Sequence, residues 1–112
     1  MLQAALRLSV YLVFTLLCIP VQILLLRLAP HKAETFPVWY HRRCLKIFTL
    51  KVELVGTPAL ARPCLYVSNH CSYLDIPVYG AVLPVCFVAK AEVAGWPLFG
   101  TLARLQRTLF MD

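Results

Sequence analysis

The sequence predicts an α/β chain whose N-terminal part is helical and membrane-associated, and three observations carry that expectation. Residues 8–26, "LSVYLVFTLLCIPVQILLL", run without a charge. After residue 50 the apolar residues change from helical spacing to alternation, and from there strand-like and helix-like stretches take turns. The composition agrees: 61% of the 112 residues are apolar and the mean hydropathy is +0.75, so some apolar surface must face lipid.

The charge-free run is nineteen residues long, bracketed by Arg7 and Arg27, and as a helix it reaches about 28 Å, enough to cross a bilayer. A secretory leader would have a shorter apolar core and a clearer small-residue cleavage site, so an uncleaved anchor is expected. Pro20 removes one helical hydrogen bond in its middle, which leaves a spanning helix and a re-entrant pair of half-helices both open. Arg27, Lys32, Arg42, Arg43 and Lys46 load the C-terminal flank, so positive-inside bias places the remainder on the cytoplasmic side of the cell membrane. The chain divides into an anchor over 1–31, an amphipathic interfacial helix over 32–50, and a sheet domain over 51–112.

In "TFPVWYHRRCLKIFTL", Thr35 is the expected N-cap, with Pro37 in the first turn. Tyr40, Cys44, Ile47 and Phe48 share one face, and Arg42, Lys46 and Thr49 another. With Trp39 and Tyr40 beside the basic face, this helix suits the headgroup level of an anionic membrane, with Trp39, Arg42, Arg43 and Lys46 as its lipid contacts. An ordinary helix whose apolar stripe packs on the domain is the alternative. Further on, "KVELVG" and "CLYVSN" read as strands around a turn-rich loop, "IPVYGAVL" as a helix, "VCFVAK" as a strand, "WPLFGTLARLQ" as a helix and "TLFMD" as a strand.

Eleven Lys and Arg stand against five Asp and Glu, a net +6 that suits anionic headgroups or acidic substrates. Nucleic acid is not an expected partner, because the cations are attached to an apolar anchor rather than dense on a soluble face. Five cysteines without a C-x-x-C pair suggest neither a disulfide framework nor a zinc site; reduced thiols serving as small apolar residues are expected.

Against this apolar background "VSNHCSYLD" concentrates Asn69, His70, Ser72 and Asp75. Five helical steps turn about 500°, so His70 and Asp75 cannot meet within one regular helix. They can meet if His70 lies in a turn after a strand and Asp75 in the first turn of the next helix, the carboxylate then fixing the imidazole tautomer and leaving Nε2 as a base. Such a pair can take the proton of an attacking alcohol, help worth about 10²–10⁴ in rate. The alternative is local: Ser72-x-x-Asp75 fits a helix-starting signature, and because Pro77 would fall at the fifth helical position with Ser72 as N-cap, a start at Asp75 or a bend is equally open. A non-catalytic module that binds anionic lipid through Arg42, Arg43 and Lys46, with this stretch only a turn, also fits the sequence.

"NHCSYLD" matches the motif N-H-x-S-x-x-D of the glycerolipid acyltransferases, and "SNHCSYLDIPV" with "FVAKAEVAGWPLFG" resembles the bacterial 1-acylglycerol-3-phosphate acyltransferases. The resemblance implies transfer of a fatty acyl group from acyl-CoA or acyl carrier protein, as co-substrate and with no bound cofactor or metal, to the sn-2 hydroxyl of a lysophospholipid. That would yield phosphatidic acid for phospholipid synthesis. It makes His70 the general base, Asp75 its orienting partner, Asn69 and Ser72 scaffold, and Lys90 a contact for the acceptor's phosphate. Glycerol 3-phosphate and lyso-ornithine lipid are the alternative acceptors. "RTLFMD" resembles the start of the family's second motif, and its Glu-Gly-Thr-Arg motif is absent, so the resemblance implies an N-terminal fragment, inactive alone, holding the first part of an acyltransferase sheet domain.

Overall fold

The computed structural model describes residues 1–59, 61–69, 72 and 74–112. Two long helices come first, α1 (Leu2–Leu28) and α2 (Pro30–Ile47), joined through Ala29 alone. A short helix α3 (Asp75–Val82) leads to strand β1 (Val88–Lys90), a 3-10 helix (Ala91–Gly95), helix α4 (Phe99–Leu105) and strand β2 (Leu109–Met111).

α1 is one unbroken helix through Pro20, not two half-helices, and it is long and apolar enough to cross a membrane. Most of its side chains are exposed; the buried ones, Thr15, Cys18 and Gln22, lie at helical spacing on a single stripe. Along that stripe α1 packs against α2, and near its C-terminal end against α4. The α1–α2 seam is largely aromatic. Tyr11 meets Phe48 at 5.3 Å between ring centroids, Phe14 stacks on Tyr40 at 5.5 Å, and the Thr15 and Tyr40 hydroxyls share a 2.8 Å hydrogen bond.

α2 starts earlier than its sequence pattern suggested. Pro30 takes the first helical position, where a missing N–H costs nothing, and Thr35 is not a cap: its hydroxyl donates to the Lys32 carbonyl one turn back. Pro37 therefore falls inside the helix, where it deprives the Ala33 carbonyl of its i+4 donor. The side-chain amide of Gln22, from α1, fills that place: its Nε2 donates to the Ala33 carbonyl at 3.1 Å and to the Leu105 carbonyl at 3.0 Å. Leu105 ends α4, so its carbonyl too lacks a helical partner. One amide in the apolar helix thus joins three helices by satisfying two orphaned acceptors.

β1 and β2 pair in parallel, Val88 with Leu109, Ala89 with Phe110 and Lys90 with Met111, and the 3-10 helix and α4 form the crossover between them. The strands expected at "VCFVAK" and "TLFMD" form, and the helices expected at "IPVYGAVL" and "WPLFGTLARLQ" form with trimmed ends. Those expected at "KVELVG" and "CLYVSN" do not: the described residues over 51–56 and 64–69 are irregular, with Leu54, Leu65 and Val67 55%, 82% and 87% exposed. Alternation tells which face of a strand would be buried; it does not supply the neighbouring strand whose backbone completes the ladder. The α/β expectation therefore holds for a two-stranded parallel sheet flanked by helices.

Helices α2 and α4 end on residues in the left-handed region, Thr49 (φ 55°) and Arg107 (φ 58°). At each the following amide reaches back across the turn, Leu50 to the Leu45 carbonyl at 2.8 Å and Thr108 to the Ala103 carbonyl at 3.0 Å. No glycine marks either end, yet the expected helix "WPLFGTLARLQ" stops within one residue of the observed end of α4.

Candidate functional site

The polar stretch becomes a turn feeding α3. Asp75 is the first helical residue, so Pro77 lies in the first turn, where its missing N–H is no loss. Ser72 precedes the helix and exchanges bonds with it. Its amide donates to Asp75 Oδ2 at 3.1 Å, its carbonyl accepts the Asp75 amide at 3.2 Å, and its Oγ accepts the Leu74 amide at 3.2 Å. A carboxylate at the first helical position also meets the positive end of the helix dipole. The local alternative, a helix-starting signature, is formed in part: the Asp75 carboxylate reaches back to the Ser72 amide, but Leu74 is the N-cap and no side chain among the described residues caps the helix. A carboxylate has about four acceptor positions, so the bond to the Ser72 amide does not exclude others.

The Asn69 carbonyl accepts the Tyr79 hydroxyl at 3.3 Å, so the second turn of α3 is tied back to the start of the motif. Asn69, Ser72 and Asp75 are thus brought to one end of α3. His70 lies outside the described residues. Lys90 is exposed as the last residue of β1, at the C-terminal edge of the parallel pair, the edge at which α/β sheets hold their ligands.

The four residues assigned to lipid contact separate into two groups. Trp39, 43% exposed, lies beside Phe14 and Phe36 with the Arg43 guanidinium carbon 5.3 Å above its ring, and Lys46 is exposed in the last turn of α2. Arg42 points elsewhere: its Nε donates to the Ala81 carbonyl at 2.9 Å, in the last turn of α3.

Sequence reasoning passed over His41. It is 6% exposed, its Nε2 donates to Gln106 Oε1 at 3.0 Å, and its Nδ1 is buried without a partner among the described residues. The signal was present, since Ala33, His41, Cys44 and Leu45 form the buried face of α2. Gln22 was a second missed residue, and the lone amide in a charge-free run was its signal.

Burial lowers the His41 pKa below the usual imidazole value, partly opposed by the bond to Gln106. A histidine depressed in the folded state binds its proton more readily when the chain unfolds. The stability it confers is full above the unfolded value of about 6.5 and is lost as pH falls below that towards the folded value. Thermal unfolding in detergent is expected to show a lower Tm at pH 5 than at pH 7.5, and His41→Asn to flatten that difference. Burial likewise pushes the Cys44 thiol up to about 11, so it stays protonated and serves as an apolar filler.

Residues 31–112 match the family model described as Acyltransferase. The chain is 43% identical over 94 residues to the lyso-ornithine lipid O-acyltransferase of Brucella abortus, covering 84% of this chain and 35% of that protein. It is 41% identical over 98 residues to the protein of the same name from Rhizobium meliloti, covering 88% and 34%. To the 1-acyl-sn-glycerol-3-phosphate acyltransferase of Neisseria gonorrhoeae it is 40% identical over 60 residues, covering 52% and 24%. The chain spans about a third of the length of the first two relatives. No solved structure matches. The family match begins in α2 and runs through the Ser72–Asp75 turn, the parallel strand pair and its crossover, and on that breadth the chain belongs to the acyltransferase family.

Proposed function

We propose that this chain supplies the proton-transfer half of a membrane acyltransferase site that esterifies the hydroxyl of a lyso-lipid. The acceptor oxygen attacks the thioester carbonyl of acyl-CoA or acyl carrier protein, His70 takes the hydroxyl proton, and the thiol leaves with a proton as the ester forms. Asp75 orients His70 and stabilises the imidazolium. The observation that carries this reading is the start of α3 at Asp75 with its carboxylate folded back on the Ser72 amide, because an H-x4-D pair can act only across a turn that enters a helix. α1 holds the site at a membrane, with its catalytic part on the cytoplasmic side, and Trp39, Arg43 and Lys46 meet headgroups.

For the acceptor we favour lyso-ornithine lipid over 1-acylglycerol-3-phosphate. Relatives named for the former align over 84%, 88%, 65% and 62% of this chain, and two named for the latter over 52%. The full-length protein in membranes is expected to acylate lyso-ornithine lipid with a kcat/KM at least tenfold above that for lysophosphatidic acid. The reverse ranking would return the assignment to the glycerophospholipid acceptor. Lys90, exposed at the ligand edge of the sheet, is proposed to meet the acceptor's anionic group in either case, so Lys90→Met should raise the acceptor KM about fivefold with kcat little changed.

A further inference from the structure

Resting on the reading of Asp75 as the partner of the general base, we propose that His41 and Arg42 of α2 are positioning residues that set the tilt of α3 and so hold Asp75 at its working place. α3 has only eight residues, too few for a helix to hold itself in water, so its orientation must come from packing. Among the described elements it packs on α2 alone.

Two adjacent α2 residues meet α3 at the end far from Asp75. The His41 ring lies where a side chain at Gly80 would be: a Cβ there would stand 2.7 Å from both Cγ and Nε2 of the ring. The absence of a side chain is thus what lets the two helices close. One residue on, the Arg42 guanidinium caps the C-terminal turn through the Ala81 carbonyl, where a cation also meets the negative end of the helix dipole. The ring is itself held from behind by Gln106, just past the end of α4. Because that amide oxygen only accepts, His41 carries its proton on Nε2.

Leverage makes this matter. Eight residues rise about 12 Å, so a pivot of about 10° around the middle of α3 moves its first residue by roughly 1 Å. A displacement of that size in a catalytic group costs on the order of 100-fold in rate.

In the full-length protein, Gly80→Ala is expected to lower kcat 10–100-fold with the acceptor KM within twofold. Adding His41→Ala, which removes the ring the new methyl meets, should recover at least fivefold of that loss. Arg42→Met, which introduces no clash and keeps the test alive if Gly80→Ala does not accumulate, should lower kcat about tenfold, with Arg42→Lys recovering part. Because the effect runs through Asp75, both losses should shrink below twofold in an Asp75→Asn background. An unchanged kcat in both Gly80→Ala and Arg42→Met overturns the proposal. So do equal losses with and without Asp75, which would make α3 a general scaffold, and so does a rise in KM shared with Arg43→Met, which would make Arg42 a lipid contact. If Asp75→Asn alone leaves kcat intact, the underlying reading of Asp75 fails instead, and the two failures are told apart by that one variant.

Discussion

Asp75→Asn in the full-length protein is expected to lower kcat by 10²–10⁴, with His70→Ala at least as damaging. The substitution separates two jobs of one side chain. The asparagine Oδ1 can still accept the Ser72 amide, so the turn and the start of α3 should survive. What is lost is the charge. At the N-terminus of a short exposed helix a carboxylate is worth about 0.3–1 kcal/mol. As the stabiliser of an imidazolium it is worth the roughly 2.7–5.5 kcal/mol that a 10²–10⁴ change in rate represents. A variant that melts within a few degrees of the parent and turns over a thousandfold more slowly assigns Asp75 to the chemistry. One that melts slightly lower and keeps its rate within fivefold makes it only a helix-starting residue. On the proposed reading His70 and Asp75 act as one unit, so the double variant should be scarcely slower than the worse single one.

The elements legible in the sequence were those whose signal is local. The charge-free run and a helix beginning near Asp75 follow from residues within a turn or two of each other, whereas spacing alone puts Tyr40, Cys44, Ile47 and Phe48 on one face of α2 and its buried side is Ala33, His41, Cys44 and Leu45. The expected strands at 51–56 and 64–69 depended on a neighbour, and alternation in Val52 and Leu54, or in Leu65 and Val67, says nothing about whether the pairing backbone is there. The motif was readable because four polar residues stood out in an apolar chain. The contacts that place it were not, because they join residues distant in sequence: Arg42 to Ala81, His41 to Gln106 and Gly80, Tyr79 to Asn69. Pro37 shows how the misplaced start of α2 hid a further contact. With Thr35 as cap it would have been a harmless first-turn proline, but with Pro30 at the first position it orphans a carbonyl that something must satisfy.

That orphaned carbonyl makes Gln22→Leu the most damaging substitution expected outside the motif. The new side chain keeps the bulk and raises the apolarity of α1, so a helix that only needed to sit in lipid would tolerate it or gain. Here it would strip the donor from two carbonyls at once: Ala33, whose own helix cannot supply one because of Pro37, and Leu105, at the end of α4. Each buried acceptor left without a partner costs roughly 1–3 kcal/mol, which sums to about 2–6 kcal/mol for the two. The loss should fall on the docking of α1 and not on the helix itself. Protease digestion in detergent is expected to open the segments flanking α4 in the Gln22→Leu protein while α1 stays helical and membrane-bound. Gln22→Asn would place its amide one methylene short of both carbonyls and should not rescue it. Pro37→Ala gives the sharper control, because a backbone N–H at that position returns an intrahelical donor to the Ala33 carbonyl. In that background Gln22→Leu should lose about half its effect, the remainder belonging to Leu105. If the cost of Gln22→Leu is the same with Pro37 as with alanine in its place, the amide is not compensating for the proline, and the coupling of α1 to the domain must come from the aromatic seam of Tyr11, Phe14 and Tyr40 instead.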